Sequence, residues 1–136
     1  MTHEVAGDCL CLHAQRAART LARRFDLALR HLDLTNGQFS LLMSLNRRHP
    51  PTIGSVAEFL AMDRTTLTAN LKPLVRRGLV RSVPDDADAR VRRLELTAEG
   101  TRLLVAAVPV WRREHAAVES DLADADRLRA DLNALS

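Results

Sequence analysis

The chain has 136 residues, 46% of them hydrophobic and 27% charged, with a formal net charge of +3 and a pI near 9.6. That length fits one domain, or one compact unit carrying a dimerisation arm, and the composition excludes a disordered chain. Aromatics make up only 3% and Tyr is absent, so the core must be aliphatic, which suits helices.

Residues 9–32 read as one long helix, with Leu10, Ala14, Ala17, Leu21, Phe25, Ala28 and Leu32 recurring at spacings of three and four. A stripe of that length packs on several partners, a second chain among them. Thr35 opens the next helix. Gln38 three residues on completes a capping box, and Phe39, Leu41, Leu42 and Leu45 follow. His49-Pro50-Pro51 is expected to end it.

Two short helical patterns come next. The first runs over about 54–61 with Val56, Ala57 and Leu60; the second, capped by Asp63, runs over about 64–77 with Leu67, Leu71, Leu74 and Val75, and Gly78 stops it. Two short helices joined by a tight turn make a helix-turn-helix candidate.

The period then changes to two. Residues 79–83 and 92–96 read as strands around the polar loop 84–90, a β-hairpin with a charged tip that forms a wing. Thr97 caps a last long helix to about Glu119, which Pro109 should kink or deprive of one hydrogen bond. A final helix is expected over about 124–135.

Between Arg64 and Arg93 stand eight Lys or Arg residues, a density that marks a phosphate-binding face. The second short helix buries Leu67, Leu71 and Leu74. Its other side presents Arg64, Thr65, Thr68, Ala69 and Lys72, among them small hydroxyls and cations of the kind that enter a major groove. On the wing, Asp88 precedes Arg90 by two residues. On an extended hairpin both would share one face, where the carboxylate can orient the guanidinium towards a minor groove, with Arg92 beside them.

The order of elements, the stretch Met62-Asp63-Arg64-Thr65-Thr66-Leu67-Thr68, then Arg77-Gly78-Leu79-Val80, and Asp88-x-Arg90 followed by Leu96-Thr97, resemble the MarR (multiple antibiotic resistance regulator) family. The resemblance implies a mostly α winged helix-turn-helix fold with a two-stranded wing and long N- and C-terminal dimerisation helices. Its dimerisation segments would be 9–34 and 98–136, placed around a DNA-binding region at 35–97. It further implies a homodimer that binds a palindromic operator in double-stranded DNA, with Thr65, Thr66 and Thr68 in the major groove and Arg90 in the minor groove. Ala69 departs from the family, where a basic residue is common, and Pro73 should disturb the bond to the Ala69 carbonyl.

Two switches fit this reading. Cys11 resembles in placement the reactive Cys of the family's organic-hydroperoxide-sensing branch. That branch holds its Cys with Tyr partners, and Gln15 and Phe25 stand in their places here. Cys9 and Cys11, two apart on a helix, should point away from each other. The other switch is a small aromatic or anionic effector in the family's pocket, with His13, Arg16 and Trp111 as contributors. A repressor released by such an effector is the favoured expectation.

Nothing points to an enzyme. There is no phosphate-binding Gly loop, His-Glu-x-x-His or nucleophile elbow, and His3, His13, His31, His49 and His115 lack metal spacing, so no cofactor or metal is expected. The longest apolar run, Leu103 to Trp111, is too short to span a bilayer. Residues 1–8 are polar and carry no signal-peptide pattern, so a cytoplasmic location is expected.

Overall fold

Side-chain oxygens start five of the seven α-helices in the computed structural model, which describes residues 1–136: Thr35, Thr52, Asp63, Thr97 and Asp124 each accept a backbone N–H from the first turn. The helices are α1 (Thr2–Asp8), α2 (Leu10–Leu29), α3 (Asn36–Leu45), α4 (Ile53–Phe59), α5 (Arg64–Arg76), α6 (Ala98–Ser120) and α7 (Ala125–Ala134). Strands β1 (Val80–Pro84) and β2 (Arg92–Leu96) form an antiparallel pair between α5 and α6, with Ser82 opposite Leu94. The fold is the mostly helical winged helix-turn-helix that the sequence suggests.

The core is aliphatic throughout. Leu29, Leu41, Leu42, Val56, Leu67 and Leu74 meet Val80 and Leu94 of the sheet and Leu104 and Ala107 of α6. α2 packs on α3 and α6, and Arg24 pairs with Glu114 across the α2–α6 seam.

Several boundaries differ from those expected. The helix over 9–32 begins at Leu10, because Cys9 is extended and its Sγ accepts the Leu12 N–H as a cap. A short helix that the polar start concealed precedes it. It ends at Leu29, gives way to a 3₁₀ turn over Arg30–Leu32, and stops at Asp33 in the left-handed region. α3 ends at Leu45, ahead of His49-Pro50-Pro51. Asn46 leaves helical geometry, and Arg47 donates to the Ser44 carbonyl, one of the last that the helix leaves open. α4 is shorter than 54–61 because Ala61 turns left-handed at φ 51°.

Both internal prolines are accommodated. α5 continues through Pro73 and α6 through Pro109. The carbonyls four residues earlier, on Ala69 and Val105, belong to exposed residues that solvent can serve.

Asp26 joins α2 to the start of α3. Its Oδ1 accepts the Asn36 N–H at 2.7 Å and the Asn36 side-chain amide at 2.9 Å. These bonds hold its carboxyl below the ordinary 3.8. Its contribution is therefore complete above that value and is lost as the pH falls through the lowered folded value. Asp26→Ala is expected to cost about 1 kcal/mol at pH 7, allowing for partial solvent contact. In urea titrations the gap to wild type should close in acid; an equal gap at pH 7 and pH 2.5 would show that the carboxylate charge is not what matters.

Candidate nucleic-acid interface

The helix-turn-helix is α4, the turn through Ala61 and α5. Met62 donates to the Ala57 carbonyl at 2.9 Å, closing the turn, and Leu67, Leu71 and Leu74 seat α5 on the core. Arg64, Thr65, Thr68, Ala69 and Lys72 are left exposed on its outer side. Asp63 accepts both the Thr66 N–H at 2.8 Å and the Thr66 hydroxyl at 2.7 Å, and these bonds hold its carboxyl below the usual range. The three predicted threonines, Thr65, Thr66 and Thr68, are all exposed, but the Thr66 hydroxyl is already donated to the Asp63 cap. Arg64 lies against α4, where a Cβ on Gly54 would meet its guanidinium at 2.6 Å. Thr68 and Lys72 line a groove of about 430 Å³ with Ile53, Arg76, Ser82 and Leu94, so the helix and the sheet share one surface.

The wing pairs Asp88 with Arg90, but by a different route from the one expected. These residues lie in a turn rather than on an extended strand, and Val91 N–H donates to the Asp88 carbonyl at 2.9 Å. The Asp88 carboxylate accepts Arg90 N–H and Nε at 3.1 Å and Nη2 at 3.2 Å, which keeps it below the usual carboxylate range. The Arg90 side chain is 92% exposed. Arg92 is not at the tip. It donates to the Ser82 hydroxyl at 3.0 Å and the Ser82 carbonyl at 3.1 Å, as a strut across the strands.

The eight cations of the basic stretch therefore divide. Arg77 donates to the Asp33 carbonyl, Arg81 pairs with Glu95, Arg93 pairs with Asp85, and Arg92 braces the sheet. None of the eight ion pairs in the structure involves Arg64, Lys72 or Arg76. Arg90 is paired yet projects from the tip.

Sequence reasoning missed the roles of Asp85 and Arg93 at the wing root. Asp85 accepts Arg93 Nε, and its other oxygen accepts the Ala87 and Asp88 N–H groups, which keeps its carboxyl low; Arg93 Nη1 also donates to the Pro50 carbonyl at 2.8 Å. The density of Asp in 85–88 was the available signal.

A second feature is a cleft of about 480 Å³ between α2, α3 and α6, walled by Phe25, Phe39, Met43, Val108, Trp111 and Arg112, with Asn36 and Ser40 at its polar side. Trp111 stacks on His115 with ring centroids 4.7 Å apart. The structure does not bring Cys11, His13 or Arg16 to this cleft. His13 Nδ1 instead meets the Cys9 carbonyl at 2.8 Å. Cys11 is exposed, and its Sγ accepts Gln15 Nε2 at 3.4 Å. Because Cys9 is the helix cap, the two thiols are not both helical, contrary to the geometry expected of them.

A model described as the MarR family matches residues 34–91. The chain is similar to the M. tuberculosis transcriptional regulator MosR solved in complex with DNA, at 43% identity and a TM-score of 0.86, covering 94% of this chain and 93% of that one. It is also similar to the regulator HosA of Escherichia coli, 39% identical over 57% of this chain and 58% of HosA. The regulator YybA of Bacillus subtilis is 29% identical over 71% of this chain and 62% of YybA. The chain thus spans about three fifths of the length of these two curated relatives. All three are regulators rather than enzymes. No helix is long and apolar enough to cross a membrane.

Proposed function

The chain belongs to the MarR family, and from that premise we propose that it is a cytoplasmic transcriptional repressor that binds a palindromic operator as a homodimer and leaves it when a small aromatic or anionic effector binds. The observation that carries this reading is the oriented guanidinium of Arg90 on the same domain as the exposed Thr65, Thr68 and Lys72 of α5. A rigid cation on a narrow projection suits the electronegative minor groove, and short hydroxyl side chains on a helix suit base edges of the major groove.

The dimer is supported by apolar side chains left uncovered at both ends of the chain. Leu10 is 72% exposed and Leu135 is 70% exposed, with Leu21, Leu128 and Leu132 also open. In this reading segments 9–34 and 98–136 interlock between two copies and carry the 35–97 regions as a pair. The effector is supported by the cleft, whose aromatic walls suit a flat ring and whose Arg112 suits an anion. Arg112 takes the place given in sequence to His13 and Arg16.

The test begins with a duplex selected by the protein from a random-sequence pool. Arg90→Ala is expected to weaken binding to that duplex while the protein stays dimeric by sedimentation. Thr68→Ala is expected to change base preference more than the salt slope. Wild-type affinity and preference in both variants would move the interface elsewhere.

A second reading keeps the DNA site and replaces the switch. The exposed Cys11 is open to an oxidant, as a sensing thiol must be. If this thiol is the switch, an organic hydroperoxide releases the wild-type protein from the selected duplex and leaves Cys11→Ser bound. Retention of both proteins returns the switch to the cleft.

A further inference from the structure

We propose that Asp85 and Arg93 are positioning residues for DNA binding, joining the wing-tip Arg90 to the backbone that enters α4. The proposal rests on the reading of Arg90 as a side chain that meets DNA.

The connection runs through continuous hydrogen bonds. Pro50 and Pro51 lie just before α4, the helix that leads into α5. The Pro51 carbonyl accepts Leu94 N–H at 2.9 Å, and Thr52 forms a β-bridge with Arg93, so β2 is laid along this segment. Arg93 then uses two edges of its guanidinium. Nη1 donates to the Pro50 carbonyl at 2.8 Å, and Nε donates to Asp85 Oδ1 at 2.5 Å.

Asp85 passes the constraint to the tip. Its Oδ2 accepts Ala87 N–H at 3.1 Å and Asp88 N–H at 3.0 Å, while its own N–H donates to the Val91 carbonyl at 2.9 Å. The turn that presents Asp88 is thereby closed, and Asp88 grips Arg90 at three points. The planar guanidinium holds its Nε and Nη1 donors apart in a fixed geometry, one on the carboxylate and one on the carbonyl, which the single flexible ammonium of Lys at position 93 does not reproduce.

The benefit lies in preorganisation rather than stability. The exposed Asp88–Arg90 pair contributes little to folding. A long side chain already fixed in its bound rotamer, however, loses less freedom on association. Arg93 thus belongs to the basic stretch by composition but turns inward to the wing root instead of meeting a phosphate.

The selected duplex and a double-mutant cycle test this. Asp85→Asn is expected to weaken binding about tenfold to hundredfold for the two wings of a dimer in an otherwise wild-type chain. In the Arg90→Ala background the same change should cost less than about twofold, since no tip guanidinium remains to be held. Arg93→Lys, which keeps the charge, should weaken binding to a similar degree; a phosphate contact would tolerate it.

Thermal transitions establish that each variant is folded, and if Asp85→Asn is not, Arg93→Lys with and without Arg90→Ala completes the same cycle. An undiminished effect in the Arg90→Ala background, or wild-type affinity for Arg93→Lys, overturns the proposal alone. Wild-type affinity for Arg90→Ala overturns the reading of Arg90 itself, and the proposal with it.

Discussion

Raising the salt concentration from 50 to 200 mM is expected to weaken binding to the selected duplex by about 10⁴-fold. The cations divide by what they already touch. Of the eight in the stretch from Arg64 to Arg93, Arg77, Arg81, Arg92 and Arg93 are spent on carbonyls, carboxylates and a hydroxyl within the chain. Arg64, Lys72 and Arg76 have no acidic partner, and Arg90 projects from the wing. Four cations per protomer make about eight per dimer. With about 0.9 counterions released for each phosphate neutralised, log K falls against log salt with a slope of about −7. Had all eight in each protomer met phosphates, the slope would be about twice as steep. Fluorescence anisotropy over that salt range decides between them. A nearly flat dependence would remove phosphate neutralisation from the binding mode altogether.

That division marks where sequence reading succeeds and where it stops. The starts of α3 and α5 were legible because capping is local. Thr35 with Gln38, and Asp63 ahead of an apolar run, carry their partners within three residues. The period change at Leu79 was legible for the same reason, since it rests on spacing within one element, and the aliphatic core was legible from the scarcity of aromatic residues. The wing pair was legible by motif, although its geometry was not. Asp88 and Arg90 meet because Asp85 closes a turn around them, and alternation along a strand plays no part.

What escaped depends on residues far apart in the chain. Arg93 reads as another surface cation until Pro50, 43 positions earlier, is placed beside it. Arg77 likewise reaches Asp33 across 44 positions. The cleft draws Phe25, Phe39 and Arg112 from three helices, so no local pattern selects Arg112 over His13 or Arg16. Helix ends were harder than starts for a related reason. α3 ends where Arg47 reaches back to the Ser44 carbonyl, whereas the conspicuous Pro50-Pro51 lies beyond it.

Gly100→Ala is expected to be the most damaging small substitution in the chain, costing about 2–4 kcal/mol. Gly100 is buried at the third position of α6, where the helix crosses the start of β1. A Cβ there would stand 2.1 Å from the Leu79 carbonyl oxygen and 3.0 Å from its carbon. The obstacle is backbone, so no side-chain rotation relieves it. Separation to ordinary contact needs a shift of about 1 Å or more, and the surrounding bonds oppose it. The Leu79 carbonyl accepts Thr97 N–H at 3.1 Å, the Thr97 hydroxyl donates to the Gly78 carbonyl at 2.6 Å, and the same hydroxyl caps Gly100 N–H at 3.1 Å. Overpacking costs about 1–3 kcal/mol, and each hydrogen bond strained adds about 1 kcal/mol. The better helix propensity of Ala returns up to about 1 kcal/mol. The remainder is a large share of a stability of about 5–15 kcal/mol. Gly7→Ala is the matched control, because nothing lies within 4 Å of a Cβ at that position of α1. Urea titration of the two variants beside wild type, at one protein concentration, should show Gly7→Ala unchanged or slightly more stable and Gly100→Ala strongly shifted. Equal midpoints for Gly100→Ala and wild type would mean that α6 can lift from β1 at no cost, and the wing would then not be rigidly joined to the helix that carries it.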